Sequence, residues 1–300
     1  MRGIRYEGRV LAVAAIALLM AACGGSTTSE GAASVPHVSG TVSVLYAASL
    51  ENLMEKDLGP HFDAATGGRF EGYAGGSQAL ANQIKGEVRR ADVFISAAPA
   101  VNALLEGQAN GDWVSWYVSF AKAPLVLGYN PASRFAAVLK KDPWYEVLTQ
   151  PGIRIGRTDP ALDPKGELTV TALEQAQTVY HKPGLAAQIE RSSQVFPEED
   201  LVGRLQAGQL DVGFFYSNEA KAASIPTVSL GKIDLGAQFT ATLVRDAPNR
   251  AGGIAFLEYL LGAKGRAILL QNGLSLLPYQ VSGQKGTVPK ALRAVLGLGS

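Results

Sequence analysis

The chain of 300 residues has a single cysteine, Cys23, and three scattered histidines, His37, His61 and His181. One cysteine excludes a disulfide framework. So few His and Cys exclude a metal cluster built from them. Neither sign of charge is in excess: 27 Lys plus Arg face 26 Asp plus Glu, a formal net charge of +1. That balance gives no electrostatic footprint for nucleic acid. Charged residues are only 18% of the chain and apolar residues 47%, which excludes wholesale disorder and a coiled coil and supplies a large core. No Gly-x-Ser-x-Gly elbow occurs, because Gly75-Gly76-Ser77-Gln78-Ala79 lacks the closing glycine. None of the histidines stands in a recognisable base position, so no enzyme and no cofactor is expected. The length fits two domains of ordinary size.

Long hydrophobic runs are scarce as well. Val10–Ala22 is 13 residues, short of the about 20 needed to span a bilayer. Arg2, Arg5 and Arg9 precede it and small residues close it, the layout of a secretory signal. The run ends in Met20-Ala21-Ala22-Cys23, which resembles a bacterial lipobox with Met20 in place of the commoner Leu. Residues 1–22 are therefore expected to be a signal peptide. Residues 23–40, rich in Ser, Thr, Gly and Ala, read as a flexible tether lipidated on Cys23. The protein is expected outside the cytoplasm, held to the cell membrane by that lipid.

Downstream, strand and helix patterns alternate. Thr41–Tyr46 reads as a strand. Leu50, Leu53, Met54, Leu58 and Phe62 then recur at helical spacing after Ser49. Arg69–Tyr73 is a second strand, Gly75-Gly76 turns into a helix from Ser77 through Leu80 and Ile84, and Asp92–Ser96 is a third strand. Such a run predicts an open, mostly parallel sheet with helices on both faces. Further strands are expected at Leu125–Tyr129, Ile153–Ile155, Leu210–Tyr216 and Thr240–Val244. Helices are expected at Glu167–Tyr180, Glu199–Ala207 and Ile254–Leu261. The fold class is α/β in two lobes, 41–121 plus 241–300 and 122–240, with crossings near Lys122 and Thr240 that make a two-stranded hinge. Two lobes behind a tether fit a solute-binding protein that closes on its ligand by hinge motion. Architecture alone gives only that class.

Several residues fall where a cleft would lie. Ser49, Ser77 and Ser96 sit at strand-to-helix junctions, where a hydroxyl and free N–H groups can meet an anion. They can equally be plain helix caps. Asp163 lies in the loop Thr158–Gly166 and Glu198 at a helix start, each open to reading as an ordinary first-turn acid. Tyr216 ends a buried strand and either offers its hydroxyl to the cleft or only packs.

In order and spacing these segments resemble the periplasmic molybdate/tungstate-binding proteins of ABC transporters, above all the branch first recognised as archaeal. The matching pieces are Leu45-Tyr46-Ala47-Ala48-Ser49-Leu50, Ala74-Gly75-Gly76-Ser77, Ala91 through Ala97, Trp144 through Leu148, Asp159 through Pro164 with Gly166, and Glu198 through Tyr216. They span about residues 41–275. The resemblance implies the two-lobe type II periplasmic-binding fold. It also implies that Ser49, Ser77 and Tyr216 bind the oxyanion, and that Asp163 and Glu198 coordinate its Mo or W centre directly, raising it from four- to six-coordinate. A carboxylate beside a dianion is otherwise repelled. Direct bonding to a hard d⁰ centre offsets the repulsion, and sulfate and phosphate offer no such bond. Lys165 and Glu167 depart from the Cys and Tyr usual there. In the family, position 165 normally donates a backbone N–H in the site; Lys165 can still do so as a ligand-binding residue, and its ammonium can offset local negative charge. The implied partners are molybdate or tungstate, an ABC permease and the membrane, with the protein itself a monomer. Binding of another anion, such as sulfate, phosphate or an organic acid, is the alternative.

Overall fold

The computed structural model describes residues 37–299. The expected signal peptide, Cys23 and most of the tether lie outside the described residues. Ten strands form: β1 (Thr41–Ala47), β2 (Arg69–Gly75), β3 (Val93–Ser96), β4 (Trp116–Tyr129), β5 (Ile155–Thr158), β6 (Ser193–Phe196), β7 (Val212–Tyr216), β8 (Thr227–Ser229), β9 (Gly236–Leu243) and β10 (Ser275–Gly283). Their order is β2-β1-β3-β9-β4-β7-β5-β6, with β10 and β8 also paired to β4.

The sheet is mixed, which corrects the expectation of a mostly parallel one. β1 pairs parallel with β2 and β3, and β5 pairs parallel with β6 and β7. Between these parallel groups β9 returns antiparallel against both β3 and β4, and β4 runs antiparallel to β7. The length of β4 explains the layout. Its residues Val118–Pro124 pair with Ala241–Gly236 of β9, and Leu125–Tyr129 then pair with Tyr216–Val212 of β7. One strand thus joins both halves of the sheet and changes from β9 to β7 at Pro124-Leu125. Proline has no N–H to give a ladder, so it sits naturally at such a switch.

Helices cover both faces. The helical run from Ala48 to Thr66 passes through a π-helical turn at Met54–Leu58 before its last segment, Gly59–Thr66. Phe62 packs edge-on against Phe256 and Tyr259, at 5.3 and 5.9 Å between ring centroids. Each fully buried side chain of this size contributes about 1.5–3 kcal/mol. The main core runs from Val42 and Phe62 through Phe120 and Phe239 to Leu173 and Phe214, so it is continuous along β4 and β9.

Several boundaries move. β4 begins nine residues before the expected Leu125, because Ser119, Lys122 and Pro124 interrupt the apolar pattern. β9 starts at Gly236 rather than Thr240. β5 begins at Ile155 and runs to Thr158, while Arg154 is anchored through its main-chain N–H on Asp211. Short β6 and β8 and bulged β10 carry no periodic signal.

Candidate functional site

Two chain ends come off β1 and β2. β1 runs straight into a 3₁₀ turn, Ala48–Leu50, whose middle residue is Ser49. β2 ends at Gly75, and Ser77 is the first residue of the helix Ser77–Lys85. Neither serine is a cap: the N-cap positions are Ala47 and Gly76, with no side-chain cap bond. Ser49 Oγ is buried and has no partner. Ser77 Oγ accepts from Ala97 N at 3.1 Å, so its own hydrogen is still available. Ser96, the third candidate, closes a local turn with Ala98 N and O and has no hydrogen left for an anion.

The opposite wall comes from β5, β7 and two helix starts. After β5 the chain folds back over Gly166, where a Cβ would lie 2.6 Å from Thr158 O. That fold places Asp163 at the N-cap of the helix Pro164–Val179, with Oδ1 accepting from Lys165 N at 3.1 Å. Its other oxygen, Oδ2, is buried without a partner. Glu198 opens the helix Glu198–Gln206. Tyr216 closes β7, and its hydroxyl is buried and unpartnered.

The two walls touch. Ala48 N donates to Glu198 Oε2 at 3.1 Å, Asn218 Nδ2 to Ser49 O at 2.8 Å, and Ala79 N to Leu162 O at 3.1 Å. At Gly76 a Cβ would come within 2.5 Å of Leu162 O, so only glycine permits this approach. Beside the contact lies a cavity of about 330 Å³ bordered by Gly76, Leu162, Asp163, Pro197 and Glu198.

Charge inside the site is concentrated and dry. Lys165 Nζ lies 3.0 and 2.9 Å from the two oxygens of Glu219 and 3.2 Å from Glu198 Oε1. These side chains are 1%, 6% and 0% exposed respectively. The Glu198 contact is an ion pair without hydrogen-bond geometry. Burial works against the lysine's charge, but Glu219, Glu198 and Asp163 outweigh it and hold its pKa above the usual value. Burial pushes Asp163 up to about 8, with Glu198 adding to the rise and Lys165 opposing it. Burial raises Glu219 too, against the pull of Lys165. Tyr216 is raised by burial and then by the surrounding carboxylates.

Ser49, Ser77, Asp163, Glu198 and Tyr216 are therefore brought to one place. Lys165 is there also, with its main-chain N–H donated to Asp163 and its ammonium to Glu219. Sequence reasoning missed Glu219. Its only signal was a Glu three residues after Tyr216 at a helix start, which reads as a cap; it does accept from Tyr216 N at 3.3 Å.

The unsatisfied atoms define what the site can take. Ser49 and Tyr216 offer hydroxyl donors, which suit anion oxygens. Asp163 Oδ2 and Glu198 Oε1 are acceptors, which suit an electropositive centre. A bare anion would leave the acceptors unmet, and a bare cation the hydroxyls. Among the described residues no group of three or more His, Cys, Asp and Glu is arranged to hold a metal ion. A second surface hollow, bordered by Arg89, Arg90, Trp113 and Arg245, offers less, because its cations are engaged. Arg89 lies over the Tyr73 ring, Arg90 bonds Asp246 O, and Arg245 pairs with Asp112.

The fold is that of the periplasmic binding proteins, with two lobes of mixed α/β structure. Residues 42–275 match the family described as bacterial extracellular solute-binding protein, and the chain belongs to it. A relative from Haloferax volcanii, named as an ABC transporter molybdenum-binding protein, is 32% identical over 80% of this chain and 73% of its own. The molybdate/tungstate-binding protein WtpA of Pyrococcus abyssi is 23% identical over 98% of this chain and 99% of its own. Among solved structures, the periplasmic molybdate-binding protein of Azotobacter vinelandii superposes with a TM-score of 0.60 at 20% identity, covering 79% of this chain and 99% of that one.

Proposed function

We propose that this protein captures molybdate or tungstate outside the cytoplasm and delivers it to an ABC permease. The observation that carries this reading is the pairing of buried hydroxyl donors with buried carboxylate oxygens that accept no hydrogen bond. An oxometalate presents oxygens to Ser49, Ser77 and Tyr216 and a hard, electropositive centre to Asp163 and Glu198. The names of the relatives support the same ligand class. Direct carboxylate bonds to the metal offset the repulsion between a dianion and two buried acids. Sulfate and phosphate present oxygens but no centre open to such bonds, so the acids work against them. The Lys165 ammonium is engaged by Glu219 and Glu198 rather than by the ligand.

In this reading the lobes are 41–121 plus 241–300 and 122–240, and the paired strands β4 and β9 form the hinge. Closure by the contacts between Ala48 and Glu198 and between Ser49 and Asn218 is the bound-like state. The mature chain acts as a monomer, anchored by lipid on Cys23. Replacing that residue, Cys23→Ala, should release the protein from the membrane fraction.

The test is a thermal-shift and titration panel with molybdate, tungstate, sulfate and phosphate. A ligand that binds only the folded state stabilises it by about 2.7 kcal/mol at one hundred times its Kd. Molybdate and tungstate should raise the melting temperature, and sulfate and phosphate should not. An equal or larger shift with sulfate or phosphate would contradict the proposal.

A further inference from the structure

The cluster contains one charged group that the proposed ligand does not need. Glu219 is buried on the short helix after β7 and faces Lys165 with both oxygens. The ammonium also lies 5.8 Å from the Phe215 ring centre and 5.6 Å from that of Tyr216. It also lies 3.2 Å from Glu198 Oε1. A buried ammonium beside an anion site would be a general anchor, because a lysine head is a compact point charge that accepts any oxyanion. Such an anchor would serve sulfate and phosphate as well as molybdate. Here the ammonium is turned to Glu219 instead, and the pair together carries no net charge.

We propose that Glu219 is a specificity-determining positioning residue: it holds the Lys165 ammonium away from the bound oxyanion, so that affinity depends on the bonds made by Asp163 and Glu198. This rests on reading the site as one for oxometalates. Two effects follow if Glu219 loses its charge. The site gains one positive charge that any oxyanion can use. The ammonium, already 3.2 Å from Glu198 Oε1, is then left with that carboxylate as its one close anionic partner and competes more strongly with the metal for that oxygen. The first strengthens every oxyanion alike and the second weakens only molybdate and tungstate, so together they move the balance toward sulfate and phosphate.

Glu219→Gln keeps a carbonyl oxygen for Tyr216 N and removes only the charge. The double variant Lys165→Met with Glu219→Gln removes the pair together and leaves the net charge as it was. Sodium molybdate, tungstate, sulfate and phosphate are titrated calorimetrically into the wild type and both variants. In Glu219→Gln the ratio of sulfate to molybdate affinity should rise about tenfold or more, the scale of one charge-assisted hydrogen bond. In the double variant the ratio should return to that of the wild type. A ratio unchanged in Glu219→Gln overturns the proposal, and so does a double variant that keeps the raised ratio. If Glu219→Gln does not fold, the double variant decides: continued rejection of sulfate is expected, and admission of sulfate overturns the proposal. Failure of the functional reading shows in the wild-type titrations, and failure of this inference shows only in the variants. A wild type that binds none of the four anions overturns both.

Discussion

Strands β5 and β7 carry an aspartate-centred cluster at each end, and the two ends are opposites. At the starting end, Asp211 accepts four hydrogen bonds: from Arg154 N and Nε at 2.9 Å, Arg154 Nη2 at 2.8 Å and Ser133 Oγ at 2.7 Å. Burial works against its charge, but the bonds from Arg154 and Ser133 outweigh that and lower its pKa from 3.8 to about 2. At the finishing end, Asp163 caps a helix with one oxygen and leaves the other bare, and burial lifts it to about 8. The same side chain in the same sheet is thus saturated at one end and left wanting at the other. The saturated end ties β5 to β7. The unsaturated end lies beyond the carboxyl ends of the strands, where open α/β sheets receive ligands.

The comparison breaks most easily at Asp163. Asp163→Asn or Glu198→Gln should weaken molybdate and tungstate binding about a hundredfold or more, while relaxing the exclusion of sulfate. Titration calorimetry reads both effects. If these acids are only helix-start residues, the amides still cap and the ligand preference does not move.

Asp211→Asn should do the reverse. It should lower stability by about 1–3 kcal/mol, measured from urea midpoints, and leave oxyanion affinity within about twofold. Loss of affinity without loss of stability would show that the starting end also belongs to the site.

The serines sharpen the contrast on the other wall. Ser49 Oγ has no protein partner, so Ser49→Ala should cost about tenfold or more in affinity and almost nothing in stability. Ser77 Oγ accepts from Ala97 N, so Ser77→Ala should lower both affinity and stability, the latter by about 1 kcal/mol. Parallel melting curves and titrations separate the two.

The smallest effect is in pH dependence without ligand. The folded pKa of Asp211 lies below 3.8, so its contribution to stability is present above about pH 4 and is lost as pH falls toward 2. The folded pKa of Asp163 lies above 3.8, so between about pH 4 and 8 the native state holds a proton that the unfolded chain has released, and stability falls as pH rises. Asp163→Asn removes that second slope. Melting temperatures of the variant and the wild type should therefore diverge in the variant's favour from pH 5 to pH 8.

Much of this was legible in the sequence because it depends on local chemistry. The β-branched alternation of Thr41–Tyr46, the Gly75-Gly76 turn and the loop around Asp163 each announce a strand end feeding a helix. The antiparallel return of β9 was not legible, since nothing local to Gly236–Leu243 says which strand it joins. The early part of β4 hid behind Ser119, Lys122 and Pro124, which read as a break, although only Pro124 stands at the change of partner. Ser49 and Ser77 looked like caps and are not, because the chain enters each helix one or two residues earlier. Glu219 drew no notice in the sequence because it is the counter-charge of Lys165, a pairing across 54 positions that no spacing rule discloses.

In the proposed binding mode the carboxylates of Asp163 and Glu198 bond to the metal of the captured oxyanion. X-ray absorption at the Mo or W edge of the loaded protein tests it directly. Short oxo bonds accompanied by additional oxygen neighbours at longer distance, six in all, are expected. A purely tetrahedral shell of four oxygens would contradict it.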